Sequence, residues 1–151
     1  MEPMTVGSAA LLATHLFATA AMTGLIWFVQ LVHYPLFDWV GRDRFTAYET
    51  GHQRRTSWVV GPLMAIEGVT ALVVAAVLSE DVGLVLVLCG LVLLAVIHSS
   101  TVLLQVPVHR ALSDGHHAQV VRRLVRSNWI RTVGWSLRSA VAGAMIVAAA
   151  T

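Results

Sequence analysis

The chain carries seven histidines and ten arginines, and no lysine, in a setting that is otherwise overwhelmingly apolar. Two stretches concentrate the polar chemistry. Trp27 to Phe37, WFVQLVHYPLF, and Val102 to Leu112, VLLQVPVHRAL, each place a Gln, a His and a Pro where an apolar segment gives way to an Arg-bearing loop. Roughly twenty-five residues after each Gln comes a second signature, His52-x-x-Arg55-Thr56 in the first half and Asn128-x-x-Arg131-Thr132 in the second. Imidazole is the commonest nitrogen ligand for Zn, Cu or Fe, so His33, His52 and His109, expected at one level, form a candidate metal set. His109 or His33 also suits general-base work, and Arg131 and Arg138 suit stabilisation of an oxyanion.

These residues need elements to bring them together. With 57% hydrophobic and only 12% charged residues, and a mean hydropathy of +0.75, the chain belongs to the membrane class and not to the soluble or nucleic-acid-binding ones. Four apolar runs, near Ala9 to Val32, Trp58 to Leu78, Val82 to Leu104 and Ile130 to Ala150, approach the ~20 residues a helix needs to cross a ~30 Å hydrocarbon core. They lack period-two alternation, which excludes a barrel. The expected fold is all-α, one membrane domain over residues 1–151, a four-helix transmembrane bundle of two tandem helical hairpins, residues 8–78 and 82–150. Met1 to Gly7 lacks the basic residues of a signal peptide, so the first run is read as a retained helix. The single Cys89 lies in the third run and offers no disulfide within the chain.

Charge placement gives the orientation. Arg42, Arg44, Arg54 and Arg55 fall in one long loop and Arg110, Arg122, Arg123 and Arg126 in the other, while the Ser79-Glu80-Asp81 turn has none. The positive-inside rule then puts both Arg loops in the cytoplasm and both termini outside, as in a bacterial inner membrane protein. Trp27, Tyr34 and Trp39 suit an interfacial aromatic belt.

Polar residues recur at helical spacing on every run. The first stripe is His15, Thr19, Met22, Ile26, Gln30, His33 and Phe37; the second His52, Thr56, Leu63, Glu67 and Thr70; the third His98, Val102, Gln105 and His109; the fourth Asn128, Arg131, Trp135, Arg138 and Met145. Counting at ~1.5 Å per residue puts His33, His52, His109 and Asn128 at the cytoplasmic rim, with Gln30, Arg55, Thr56, Gln105 and Arg131 in the next layer. His98 and Arg138 then lie roughly 15 Å in, and Glu67 and His15 roughly 22 and 27 Å in. An ion inside a span costs ~2.5–3.5 kcal/mol, so Glu67 and Arg138 are expected to face inward and answer each other. Gln30, Arg55, His98 and His15 are candidate cofactor contacts. Arg55 and Arg131 are expected to form a matched inward clamp. Two axial histidines for a haem are conceivable, although no c-type attachment motif exists. Pro62 is expected to kink the second helix, His116 and His117 to be solvated, and the Ala- and Gly-rich segment beyond Arg138 to allow close helix contact and self-association.

QVPVHRALSDG from Gln105 to Gly115, followed by NWIRT from Asn128 to Thr132, resembles the paired signatures of the anthrone-oxygenase-like membrane proteins, and VHYPLF from Val32 to Phe37 resembles that family's first-helix exit. Gln105 and His109 stand where that family usually has Asn, and Trp129 follows Asn128 instead of preceding it. The resemblance implies a small integral membrane oxidoreductase that oxidises polycyclic phenolic anthrones with dioxygen, with Gln105, His109, Asn128 and Arg131 at its site. From the residues alone three classes stand: a membrane oxidoreductase acting on a hydrophobic phenolic or quinonoid molecule, with a His-ligated metal as one option; a small-ion or solute transporter using Glu67, Arg138 and the His layers; and a non-catalytic assembly subunit.

Overall fold

In the computed structural model, which describes residues 4–151, the protein is an all-α four-helix bundle. Helix α1 (Val6–Phe28) passes into a π-turn (Val29–His33) and a 3-10 turn (Pro35–Trp39). Helix α2 covers Phe45–Val77, the single helical turn α3 Ser79–Val82, α4 Leu84–Ser100, a second π-turn Thr101–Gln105, α5 Val106–Leu112 and α6 Ala118–Ala149. Taken as continuous rods, Val6–Trp39, Phe45–Val77, Leu84–Leu112 and Ala118–Ala149 are all long and apolar enough to cross a membrane.

Those rods exceed what a bilayer requires. The 33 residues of α2 and the 32 of α6 make helices of about 50 Å at ~1.5 Å per residue, against a core of ~30 Å. The surplus lies at the Arg-bearing end. Residues expected as a long Arg-bearing loop are instead the first turns of α2, which starts at Phe45. Likewise α6 starts at Ala118, ahead of Asn128. The apolar faces of these turns explain the difference: Phe45, Val121 and Leu124 are buried at 0–2% exposure in the core that also holds Phe37 and Leu112. Packing extends the helices beyond the lipid-length runs. Helix α2 continues through Pro62 without a break, and the Ser79-Glu80-Asp81 turn is itself helical.

Each half carries a π-turn just before or beside a proline. Tyr34 N–H bonds to Val29 O at 3.0 Å, and Val106 N–H reaches back to Thr101 O. Pro35 and Pro107 cannot donate to the turn before them, and widening that turn relieves the ring against the preceding carbonyl.

Helix α6 packs against both α1 and α4, α1 also packs against α2, and α2 meets α4 along a thinner seam. Interior faces carry the polar stripes: His15, Thr19, Gln30, Glu49, Glu67, Gln105, Asn128, Arg131, Thr132 and Arg138 are all buried, while Phe17, Trp58, Val85, Leu103 and Val147 are exposed as a lipid-facing surface requires. Close approach of helices is needed at Gly134, where a Cβ would lie 2.8 Å from Ile97 Cγ1, and at Gly90, where it would meet Arg138 and Met145 at 3.2 Å. Beyond Arg138, Ala142 is buried in the bundle, while Gly143 borders open space, with nothing within 4 Å of an added Cβ.

Candidate functional site

At the Arg-bearing end, five side chains from α2, α5 and the end of the first π-turn converge. Glu49 and His52 are one turn apart on α2, a spacing of three that puts both on one face. His109 comes from α5, and His33 and Tyr34 follow each other at the end of the first π-turn. The ring centroids of His33 and His52 are 4.5 Å apart, and those of His52 and His109 are 5.3 Å apart. His109 Nδ1 lies 2.6 Å from Glu49 Oε1, and its Nε2 lies 2.9 Å from Tyr34 Oη. A carboxylate can only accept, so a neutral His109 donates from Nδ1 and its Nε2 accepts from the tyrosine hydroxyl. His33 Nε2 is 2.8 Å from His52 Nδ1, and Thr56 Oγ1 is 3.1 Å from that same atom. Gln53 donates its amide to Glu49 Oε1 at 3.0 Å and to the His109 carbonyl at 3.1 Å. Glu49 is fully buried, yet its Oε2 has no partner.

Beside this cluster is a cavity of about 260 Å³ in the thin seam between α2 and the α4–α5 rod. Leu25, Ile26, Val29, Val60 and Val106 form its apolar wall; Tyr34, His52, Thr56, Gln105, His109 and Arg131 give it polar atoms. Ser57, Gly61 and Val106 at its margin are exposed next to exposed Trp58, Val102 and Leu103. The mouth therefore opens sideways, among side chains that face lipid.

A second network holds Arg131 over the cavity. Arg131 Nη1 donates to Asn128 Oδ1 at 3.2 Å, Asn128 Nδ2 donates to Gln30 Oε1 at 2.9 Å, and Gln30 Nε2 donates to the Val125 carbonyl at 3.2 Å. Gln105 donates to Ser127 Oγ at 2.9 Å. Two residues of this network that line the cavity each have a buried, unpartnered atom: the N–H of Arg131 Nε and the carbonyl oxygen of Gln105. In a dry site such atoms are costly unless something fills their valence.

Deeper in the bundle is a different polar group. Arg138 donates to Glu67 and to the carbonyl of Gly90, and His15 Nδ1 pairs with Thr70 Oγ1 at 2.9 Å. The void beside them is about 10 Å³, around the minimum for one water. Glu67 and Arg138 face inward and answer each other as expected, and neither lines the larger cavity. His98 bonds through Nδ1 to the Leu94 carbonyl of its own helix at 3.0 Å.

Several expectations need correction. Arg55 does not mirror Arg131; it is exposed and lines a separate recess with His33, Tyr48 and His52. Helix α2 faces the bundle here with Glu49, His52 and Thr56, and Arg55 sits on the flank that the Arg-rich end leaves open. The ligand-like set is not His33, His52 and His109, because His33 is bonded behind His52 and Glu49 takes its place. Asn128 belongs one layer deeper than the rim, with Gln30 and Thr132. His116 is not simply solvated: it pairs with Asp38 at 2.9 Å and sets its ring 5.0 Å from Phe45. Of the expected membrane belt, Tyr34 is instead buried at 3% exposure.

Of the four positions that the family resemblance pointed to, Gln105, His109 and Arg131 line the cavity and Asn128 holds Arg131. Glu49 and Gln53 are not singled out by the sequence, and Tyr34 only as a residue of the membrane belt. For Glu49 a signal existed: Glu-x-x-His on one helix face is a spacing used by metal-carboxylate bundles. No protein-family model, curated protein or solved structure matches the chain, so the site is interpreted on its own geometry.

Proposed function

We propose that the protein is a membrane oxidoreductase that admits a small hydrophobic phenol from the bilayer and oxidises it with dioxygen to a quinone-type product. The observation that carries this reading is the pairing of a lateral apolar cavity with two unanswered buried atoms, the Arg131 Nε–H donor and the Gln105 carbonyl acceptor. An aromatic ring bearing a hydroxyl fits this lining, since its body takes the apolar wall and its oxygen accepts from the guanidinium.

The proton has a route. A substrate hydroxyl donating to Tyr34 Oη lets Tyr34 pass its own proton to His109 Nε2, and Glu49 holds the imidazolium that results. Arg131 stabilises the phenolate in a site from which water is excluded. The electron-rich ring then gives up two hydrogens at an activated methylene carbon: dioxygen is reduced, one of its atoms becomes the new carbonyl oxygen and the other leaves as water. Glu67 and Arg138 neutralise each other in a closed region, which gives the transporter reading no comparable support.

The test is oxygen uptake by the protein in nanodiscs supplied with anthrones or naphthols. One dioxygen should be consumed per carbonyl formed, with one labelled oxygen atom in the product when labelled dioxygen is used. Replacing His109 with Gln should slow turnover by ~10²–10⁴-fold, the usual contribution of a positioned acid–base group. No uptake above protein-free discs, together with no binding of these molecules, would overturn the proposal.

A further inference from the structure

We infer that Glu49, His52 and His109 form a binding site for one divalent first-row transition-metal ion, facing the cavity. One ligand atom from each residue lies within 4.8 Å of the other two, a spread that side-chain adjustment closes onto an ion with bonds of ~2.0–2.2 Å. Two imidazoles and a carboxylate leave further coordination positions open, the donor set of non-haem ferrous sites.

Three observations favour an ion over a plain hydrogen-bond cluster. First, Glu49 is fully buried with Oε2 unpartnered. A carboxylate oxygen left bare in a membrane protein's interior is expensive, and a cation answers it directly. Second, the groups around the three ligands are already those a metal site uses to fix its ligands. His33 Nε2 and Thr56 hold His52 Nδ1, Tyr34 holds His109 Nε2, and Gln53 holds Glu49 Oε1. Ligating histidines almost always have their second nitrogen engaged in this way. Third, His52 and His109 line the cavity while Glu49 stands behind them, so open positions on the ion would face an occupant of the cavity. In the metal-free state His109 Nδ1–H bonds to Glu49; an ion on Nδ1 would leave the ring hydrogen on Nε2, donating to Tyr34, so the base role given above to His109 belongs to the metal-free site.

The donor atoms limit which ion it is. Two nitrogens disfavour Mg²⁺ and Ca²⁺, and the absence of sulfur from the set disfavours Cu⁺. Fe²⁺, Co²⁺, Mn²⁺ and Zn²⁺ suit it.

The site adjoins the cavity assigned above to a phenol, but metal binding can be measured with no substrate present. The probe is Co²⁺, added to chelator-stripped, detergent-purified full-length protein. Expected are one Co²⁺ per chain with visible d–d absorption, and an X-ray absorption spectrum showing imidazole scattering from two histidines with oxygen completing the shell. Glu49→Gln and His52→Ala should each weaken binding at least ~100-fold. His33→Ala should weaken it ~10–100-fold, as loss of an orienting group does, and His117→Ala should leave it unchanged. No retained Co²⁺ in the wild-type protein, a shell without imidazole, or full affinity in Glu49→Gln would overturn the assignment. The absorption experiment uses only wild-type protein, so it decides the matter even where a variant fails to fold. Naphthol binding to the metal-free protein, followed by tryptophan fluorescence, is scored separately. Naphthol binding without Co²⁺ binding removes the metal alone, and the reverse removes the phenol alone.

Discussion

The bundle holds two clusters of buried polar groups, each with atoms left unpartnered, and they differ in whether their charges meet and in the space beside them. In the deep one, Arg138 spans Glu67 and the Gly90 carbonyl around a void of about 10 Å³. At the Arg-bearing end, Glu49, Gln105 and Arg131 each leave an atom without a partner, two of these residues line a cavity of about 260 Å³, and the third backs His109. Both clusters contain a carboxylate and a guanidinium. What separates them is that Glu67 and Arg138 pair directly, whereas Glu49 and Arg131 make no ion pair and have a cavity beside them. Charge placed inside a membrane protein can fix how helices meet, or it can be held ready for something that arrives, and the volume beside it tells the two apart.

Mutations can test that division. The largest effect on stability should come from breaking the deep pair: Arg138→Met alone leaves Glu67 buried and uncompensated, and should lower unfolding free energy by about 3–5 kcal/mol. Combining it with Glu67→Leu should recover most of that loss, as thermal unfolding in detergent would show; failure of the rescue would mean that Arg138 acts chiefly through Gly90. Next, Gly134→Ala should cost ~1–3 kcal/mol by overpacking, because its new Cβ meets Ile97 Cγ1 at 2.8 Å. Glu49→Gln should do the opposite of Arg138→Met, abolishing metal affinity while moving stability by less than ~1 kcal/mol, since it removes a charge that is only partly answered. Val60→Phe, which fills the cavity from α2, should weaken phenol binding ~10-fold with the melting temperature held. The smallest effect belongs to Thr23→Val at the α1–α6 seam, where the hydroxyl bonds to Trp135 O and Ser139 Oγ at 2.9 and 2.7 Å. Polar contacts of this kind between membrane helices average ~0.6 kcal/mol.

How much of this was legible in the sequence depended on which physical rule governed each residue. The spans, the inward stripes and the Glu67–Arg138 pair follow from hydropathy, helical period and the cost of charge in lipid, all of which are local properties. Glu49 escaped because hydropathy ends the second span near Trp58, and a carboxylate among Arg residues then looks like solvated surface. It is the burial of Phe45 beside it that draws this turn into the core. Tyr34 was hidden by its neighbours, since an aromatic between Trp27 and Trp39 suits a membrane belt. The two stretches carry their Gln, His and Pro in different orders, and aligning them by Gln30 and Gln105 matches Tyr34, not His33, to His109; those are the two that touch. Arg55 failed for a related reason: a repeated signature carries over residue types, but the two helices need not present them at the same angle.

The two π-turns separate the first and third rods, Val6–Trp39 and Leu84–Leu112, each into a lipid-crossing part and a working tip. A turn that holds one residue more than an α-turn is a place where chain length can change by one while the hydrogen-bond ladder heals, and each such change swivels everything beyond it by ~100°. Tyr34 and His109 lie beyond these swivels, and Gly90 lies before the second of them. Removing Val102 would therefore turn His109 away from Glu49 without disturbing the grip of Arg138 on its partners. The reactive end can thus be re-aimed by single-residue insertions and deletions while the anchoring end keeps its register.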